Sequence, residues 1–308
     1  MGTPDFAVPS AAALAEVAQV TAVISQPDQP SGRGLKRQAT PVKAWAKQHA
    51  IPIYQPISLR DPELLRVLLS LEPDVIVVVA YGKILPRAIL QMPRHGCINV
   101  HASLLPRWRG AAPIQWALYH GDTVTGVTLM KMDEGMDTGP MLSQREISVK
   151  DDETAGELAQ RLAELAATIL IEDLPSYFSG ELIAVPQNSD ESTVAPLIRK
   201  QDGVVNWSRS AVEIHNQIRA MHPWPCAHTY WQGKRVKLHR SHVALRKTEK
   251  RTPGQLIKAD AQGIEVACGM GVVGLDELQM EGRARLGASA FMAGHRWQPE
   301  QVLKEEAE

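Results

Sequence analysis

The sequence predicts an α/β protein in which a domain with a mostly parallel sheet is followed by a small β-barrel domain. Helical and strand patterns alternate between residues 10 and 177, which is typical of parallel strands joined by crossover helices. One of these strands, Asp74–Ala80, is almost entirely apolar, as expected of a strand covered on both faces. After Ala195, short β-type segments alternate with glycine turns, and this pattern favours a barrel.

The elements of the first domain follow from local signals. Ser10 can cap a helix, Val20–Ile24 is a β-branched run typical of a strand, and Pro62 suits the first turn of a helix. Proline and glycine punctuate residues 26–41 and predict a long irregular loop. The cations of this loop are Arg33, Lys36 and Arg37. The patterns predict helices over 10–19, 42–49, 61–70, 112–120 and 151–177, and strands over 20–24, 51–54, 74–80, 97–101, 126–131 and 143–148.

The second domain is predicted to begin after a linker. We expect domain one to span 1–180, the linker 181–198 and domain two 199–308. A helix is predicted over 211–221, before strands over 228–231, 235–239, 254–258, 263–267 and 272–278.

Composition narrows the class of protein. The 308 residues suffice for about two domains. Hydrophobic residues form 44% of the chain and charged residues 22%, which excludes global disorder. No apolar run reaches the ~18 residues of a membrane span, and no signal peptide is evident. The three cysteines are far apart and offer no disulfide framework, so we expect a reduced, cytoplasmic protein without a membrane partner.

The charge is unevenly distributed although the whole chain has a formal net charge of -1. Residues 199–251 hold 12 basic and 3 acidic side chains, which is a candidate electrostatic footprint for nucleic acid. A solvated, lysine-rich β surface would produce the same count. Charge alone therefore leaves both interpretations open.

The most distinctive polar cluster follows a predicted strand. Asn99 and His101 alternate on Cys97–His101 and so face the same side, near the strand end where open α/β sheets bind ligands. The imidazole can move a proton near neutral pH, and the amide can donate to a developing oxyanion. An isolated Asn-x-His usually closes a turn, but the long loop Ser103–Gly110 follows directly, and its leucines can wall a flat aromatic ligand.

A second loop supplies a carboxylate. Asp133–Pro140 is rich in glycine and follows the predicted strand 126–131, and a carboxylate from it can orient the histidine ring. Other chemistry finds no support in the sequence. The dinucleotide fingerprint, Walker A sequence and nucleophile elbow are missing. The closest histidine pairs, His215/His222 and His239/His242, have no Cys or acidic companion at zinc-site spacing, so we predict no bound metal.

Taken together, the motifs resemble the methionyl-tRNA formyltransferases of the folate-dependent formyltransferase superfamily. The similarity covers essentially the whole chain. It lies in Gly2–Pro9, Gln26–Gly34, Ala80–Pro86, Ile98–Gly110, Met132–Pro140, Arg219–Pro225 and Gly233–Lys237. It implies a Rossmann-like formyl-transfer domain and a C-terminal OB-like barrel.

The resemblance also implies an activity and its residues. The donor would be 10-formyltetrahydrofolate and the acceptor the amino group of methionyl initiator tRNA. The protein is expected to be a monomer. The implied catalytic residues are Asn99, His101 and Asp137, and the implied folate-contacting residues are Ser103, Leu104, Leu105 and Pro106. The expected tRNA-binding residues are Arg33, Lys36, Arg37, Lys200, Lys234, Arg235 and Lys237.

Two features depart from the family pattern. A short strand usually precedes the Gly-Thr-Pro motif, whereas only Met1 precedes Gly2 here. The cationic loop usually reads Gly-Arg-Gly-Lys-Lys, whereas Gly32–Arg37 has leucine after the second glycine. Three alternatives stay open: a formyltransferase acting on glycinamide ribonucleotide or a sugar amine, an OB-type nucleic-acid-binding protein without catalysis, and a dinucleotide oxidoreductase.

Overall fold

The computed structural model describes residues 1–31, 36–245 and 251–307. The chain divides into two compact units. The first comprises Met1–Pro113, Val124–Ile147 and Ala159–Pro196, and the second comprises Ile114–Thr123, Ser148–Leu158 and Leu197–Glu308. The helices are α1 (Val8–Val17), α2 (Pro41–Gln48), α3 (Pro62–Ser70), α4 (Arg87–Leu90), α5 (Pro113–Tyr119), α6 (Ala155–Ser179), α7 (Ala211–Ala220) and α8 (Ala288–Gly294). The strands are β1 (Val23–Ile24), β2 (Gln29–Ser31), β3 (Lys36–Gln38), β4 (Ile53–Tyr54), β5 (Ile76–Val78), β6 (Cys97–His101), β7 (Arg109–Gly110), β8 (Val124–Lys131), β9 (Met141–Ser148), β10 (Val194–Ala195), β11 (Ala227–Trp231), β12 (Lys234–Ala244), β13 (Leu256–Asp260), β14 (Gly263–Ala267), β15 (Val272–Met280) and β16 (Leu286–Gly287).

The first unit is built on a sheet with the strand order β5-β6-β8-β9 and on the pair β1-β4. Strands β5 and β6 are parallel, as are β1 and β4, whereas β6 and β8 are antiparallel. The predicted parallel arrangement therefore holds on one side of β6 and changes direction on the other. Because β5 and β6 both end at the same edge, their following loops meet there.

A cleft separates β1 from β5, and the first two residues lie at its end. Gly2 forms a parallel bridge with Val79 and donates its N–H to Ile24 O at 3.0 Å. Apolar side chains of α1, β1 and β5 line the cleft. No strand runs along it in the described part of the chain. The strands predicted over 20–24 and 74–80 are shorter than expected, since β1 comprises Val23–Ile24 and β5 comprises Ile76–Val78.

Helix starts in the first unit match the predictions only in part. Helix α3 begins at Pro62 as expected, whereas α1 already begins at Val8, so Ser10 lies buried inside that helix and does not cap it. The Thr40 side chain accepts from Lys43 N at the start of α2, and Asp61 caps α3 with Pro62 in its first turn. Helix α3 buries Leu64 and Leu68 in a core that also contains residues of β1 and β5. This packing fixes the strand edge that carries the loops described below.

The second unit contains helix α7 and an antiparallel sheet with the order β11-β12-β15-β14-β13, to which β16 adds beside β15. A capping box between Ser210 and Glu213 starts α7. No closed barrel forms among the described residues. Instead, the C-terminal segment forms hydrogen bonds with the two strands at the ends of this strand order. Gln301 O accepts from Leu256 N of β13, and Lys304 pairs with Tyr230 of β11. The β-rich character was predicted, whereas α8 was not.

Candidate active site

The end of β6 carries the predicted amide and imidazole. Parallel pairing with β5 places Asn99 opposite Val78, and antiparallel pairing with β8 places His101 opposite Thr128. Asn99 is half-buried, whereas His101 is only 6% exposed. Both side chains therefore lie at the edge where β5 and β6 end, as the alternation of the strand predicts.

Hydrogen bonding determines the orientation of the His101 ring. Its Nε2 lies 2.8 Å from the carbonyl oxygen of Trp108. Because a carbonyl oxygen can only accept, Nε2 must carry a proton. The opposite nitrogen, Nδ1, faces Asp137 Oδ2 at 3.6 Å. Only Nδ1 can therefore change its protonation while this arrangement persists.

Asp137 comes from the glycine-rich loop after β8. It has a left-handed backbone conformation, with φ 55°, inside a turn where Asp133 accepts from Gly135 N and Thr138 Oγ1. Its Oδ2 accepts from Gly110 N at 2.9 Å, and its Oδ1 lies 3.4 Å from Asn99 Nδ2. The amide, the imidazole and the carboxylate thus meet around one small volume.

Hydrogen bonds to Thr128 and Gln144 hold the segment that is predicted to contact folate. Leu105 N donates to Thr128 Oγ1 at 3.1 Å, and the Gln144 side-chain amide donates to Leu105 O at 2.9 Å. The Ser103 side chain is buried and donates to Arg107 O at 2.6 Å. Leu105 is buried as well, whereas Leu104 and Pro106 are partly exposed. Of the four residues predicted to contact folate, Leu104 and Pro106 are thus the two whose side chains are partly accessible.

The predicted tRNA-binding residues are distributed over both units. Arg33 lies outside the described residues, and Lys36 begins β3 beside the exposed Arg37. Lys200 lies in a 3-10 turn, Lys200–Gly203, of the second unit. The remaining three, Lys234, Arg235 and Lys237, lie on β12.

Among the described residues of the basic segment 199–251, four arginines are buried or paired with carboxylates. Arg219 is buried and donates to Asn216 Oδ1 and to Lys150 O. Three further arginines, Arg209, Arg240 and Arg251, form ion pairs with Glu213, Glu157 and Glu300 respectively. Strand pairing sets Arg235 opposite Tyr230 and Lys237 opposite His228, so these two cations share one face of β12.

Two residues that contact the site were not predicted. Gln187 donates from Nε2 to the carbonyl oxygens of Asp137 and Gly139, at 2.8 and 2.7 Å. Thr193 Oγ1 accepts from Trp108 N at 2.9 Å. Both belong to the segment expected to be a linker, and no motif or spacing in the sequence distinguishes them from other loop residues.

Other catalytic chemistry has little support in the structure. Burial raises the pKa of the Cys97 and Cys268 thiols to about 12 and also raises that of Cys226, so these cysteines are poor nucleophiles. Within the described ranges, no three His, Cys, Asp or Glu side chains group closely enough to hold a metal ion. No helix in those ranges is long and apolar enough to cross a membrane.

Comparison with known proteins gives consistent matches over both units. A family model described as "Formyl transferase" matches residues 6–174, and one described as "Formyl transferase, C-terminal domain" matches residues 197–296. Methionyl-tRNA formyltransferase from Geobacter sulfurreducens is 47% identical over 300 residues, covering 97% of this chain and 94% of the relative. That from Myxococcus xanthus is 48% identical over 299 residues, covering 97% and 95%. Among solved structures, the N-formyltransferase from Helicobacter canadensis, in complex with folinic acid and dTDP-3-aminofucose, shares the fold with a TM-score of 0.67 at 16% identity, over 89% of this chain and 96% of that one.

Proposed function

Since the chain belongs to the formyl transferase family, we propose that it transfers the formyl group of 10-formyltetrahydrofolate to the α-amino group of methionyl initiator tRNA, in support of translation initiation. The relatives named methionyl-tRNA formyltransferase match it over nearly its full length. The observation that carries the chemistry is the convergence of Asn99, His101 and Asp137 on one volume.

Asn99 and His101 stabilise the charge that develops during the reaction. The neutral amine attacks the formyl carbon, and the carbonyl oxygen becomes an oxyanion in the tetrahedral intermediate. Asn99 Nδ2 donates a hydrogen bond to that oxygen, and the protonated ring of His101 supplies positive charge beside it. Asp137, 3.6 Å from Nδ1, stabilises the charged ring.

Proton transfer then completes the reaction. The attacking nitrogen must lose a proton and the departing folate nitrogen must gain one. Because His101 Nε2 is bonded to Trp108 O, its Nδ1 is the ring atom that delivers a proton to the folate nitrogen, directly or through a water. The proton released by the amine restores the imidazolium, so the ring ends the cycle in its starting state.

The two units divide the binding of substrates in this proposal. The loop Ser103–Pro106, with Leu104 and Pro106 at its surface, binds the folate. The cationic loop at Arg33, Lys36 and Arg37 approaches the acceptor end of the tRNA. The second unit, acting as an OB-like module, meets the phosphate backbone through Lys200 and the β12 cations. We further propose a monomer, because the three site residues come from one chain, and a cytoplasmic location, because the relatives are named as enzymes that act on methionyl-tRNA.

An assay with defined substrates tests the function. The protein is incubated with formyl-labelled 10-formyltetrahydrofolate and methionyl initiator tRNA, and formylated aminoacyl-tRNA is quantified. We expect turnover by the wild type and its loss in His101→Ala with folding intact. A dTDP-amino sugar serves as the competing acceptor, because the structural neighbour from Helicobacter canadensis holds one. Turnover with the sugar and not with the tRNA would reject the proposed acceptor.

The RNA surface has a separate test. Burial lowers the pKa of His239 to about 4, with Arg285 and Lys237 adding to the effect, and burial also lowers that of His228. The exposed charge on this face therefore belongs to Arg235 and Lys237 at neutral pH. Replacing both by Gln is expected to reduce the slope of log K against log salt concentration by about 0.7–0.9 for each lost phosphate contact.

Arg251→Gln/Lys258→Gln is the matched control for that experiment. It removes the same formal charge from the second unit, but Arg251 and Lys258 lie within 4 Å of Glu300 and Asp260 respectively. We expect the control to retain the salt slope of the wild type. If both double variants reduced the salt slope by the same amount, net charge rather than the β12 face would govern tRNA affinity.

A further inference from the structure

The side chains of His101 and Asp137 are both hydrogen-bonded to the backbone of the segment Trp108–Gly110. His101 Nε2 donates to Trp108 O, and Gly110 N donates to Asp137 Oδ2. The intervening residue, Arg109, forms β7 together with Gly110. The distance between imidazole and carboxylate therefore depends on the position of Trp108–Gly110.

The segment 187–195 holds that backbone from its other side. Strand β10 pairs in parallel with β7, setting Val194 opposite Arg109. Thr193 contacts the same residues twice, since its hydroxyl accepts from Trp108 N and its carbonyl oxygen accepts from Arg109 N, both at 2.9 Å. Movement of this segment would therefore displace the attachment points of both side chains.

Gln187 extends the same support to the Asp137 loop. Its Nε2 donates to Asp137 O and Gly139 O, while its Oε1 accepts from Arg109 Nε at 2.9 Å. One amide thus links the loop that carries the carboxylate to the strand that orients it. The loop that carries Asp137 also lies close to β8 at its other end, since a Cβ on Gly139 would lie 2.0 Å from Lys131 O.

The stability of the fold does not account for the burial of the Arg109 side chain. Its side chain is only 9% exposed, and its buried Nη2 has no hydrogen-bond partner among the described residues. A buried guanidinium with an unsatisfied donor costs free energy. Its one described side-chain bond, to Gln187, directs it to the group that also holds the Asp137 loop.

We propose that Gln187 is a positioning residue for formyl transfer, which holds Asp137 at the distance from His101 that the reaction requires, with Thr193 supporting the His101 side. The inference rests on the proposed function. It assigns to the segment 187–195 a role in the chemical step rather than in binding of either substrate.

Kinetic constants of two Gln187 variants test the proposal. Gln187→Met removes all three hydrogen bonds at similar volume, and Gln187→Glu keeps an acceptor for Arg109 Nε while removing both donors to the loop carbonyls. Because displacement of a catalytic group by about 1 Å can cost ~10²-fold, we expect kcat to fall by about 10- to 100-fold in both. The KM for formylfolate and for the tRNA should stay within about twofold, since neither substrate is bound by Gln187.

Asn188→Ala is the matched control, because its side-chain amide also makes hydrogen bonds in this segment, but to Asp190 N and Glu191. We expect wild-type kcat for the control. If Gln187→Met fails to fold, Thr193→Val provides the second test, since it removes the acceptor for Trp108 N at similar volume. A kcat within threefold of wild type in the folded variants, or losses confined to KM, would overturn the proposal.

A readout without turnover separates this proposal from the proposed function. The 15N signals of the His101 ring, assigned with His101→Asn, report its environment whether or not Met-tRNA is a substrate. We expect the Nδ1 signal to move in Gln187→Met and to stay in place in Asn188→Ala. An inactive wild type with this response would reject only the proposed acceptor, whereas an unchanged Nδ1 signal would reject the positioning role.

Discussion

Replacing Asn99 tests whether its amide donates to the oxyanion. Asn99→Ala removes the donor without adding charge, and loss of one oxyanion donor typically costs about 10²–10³ in rate. Asn99→Asp has nearly the same shape but sets a second carboxyl against Asp137, whose Oδ1 lies 3.4 Å from the present amide nitrogen. The pair of variants thus separates loss of the donor from a new electrostatic conflict.

The distance gives the size of that conflict. Two unit charges 3.4 Å apart repel by about 5 kcal/mol at an effective dielectric constant of 20. Ionising both carboxyls is therefore unfavourable at neutral pH, and the pair retains a proton over much of the range. When that proton lies at position 99, the neutral carboxyl can donate a hydrogen bond where the amide did.

The two variants should consequently differ in their response to pH. Single-turnover formylation of Met-tRNA would be measured from pH 8 to pH 6 with saturating formylfolate. We expect the rate of Asn99→Asp relative to Asn99→Ala to rise as the pH falls, because protonation restores a donor only in the aspartate variant. Dividing the two rates cancels the protonation of the amine substrate. A ratio independent of pH, or an Asn99→Ala rate within tenfold of wild type, would refute the assignment of Asn99 as the donor.

Two further predictions concern the folate loop and one titrating group. Gln144→Leu removes the donors to Leu105 O and Thr128 Oγ1, so the KM for formylfolate should rise by about 5- to 50-fold with little change in that for tRNA, measured by steady-state kinetics. The Thr154 backbone N–H, the Thr154 hydroxyl and Arg240 lower the pKa of Glu157 from 4.5 to about 2. The resulting stabilisation is present above pH 4.5 and is lost as the pH falls from 4.5 towards 2. Glu157→Gln should therefore lower the Tm at pH 7, and the difference in Tm from the wild type should narrow as the pH falls below 4.5.

The sequence predicted the elements whose signals are local. Pro62 and Asp61 begin α3 as expected, and the alternation of β6 places Asn99 and His101 at the same strand edge. The family resemblance, which depends on motifs in the loops, is confirmed by the matches over both halves of the chain. These features could be predicted because each depends on a few neighbouring residues.

Features that depend on distant pairing could not be predicted in the same way. The antiparallel step between β6 and β8 follows from how the chain returns to the sheet, and no residue pattern in β8 encodes it. The neutralised charge of Arg240 depends on Glu157, which lies 83 residues away along the chain. Gln187 is a polar residue in a proline- and glycine-punctuated stretch, and only the folded loop around Asp137 gives its amide a specific partner. Such partners become visible only once the topology is known.

The backbone of Trp108–Gly110 explains why the loop after β6 has its particular sequence. Trp108 has a left-handed conformation, with φ 62°, and Gly110 has φ 122°, so the chain turns sharply on both sides of Arg109. A Cβ on Gly110 would lie 2.6 Å from Ala195 O, and the close approach of β7 to β10 therefore requires glycine. Because this approach directs the Gly110 N–H towards Asp137 and the Trp108 carbonyl towards His101, the glycine contributes to the chemistry without a side chain. The site is thus defined by backbone geometry as much as by its three polar side chains.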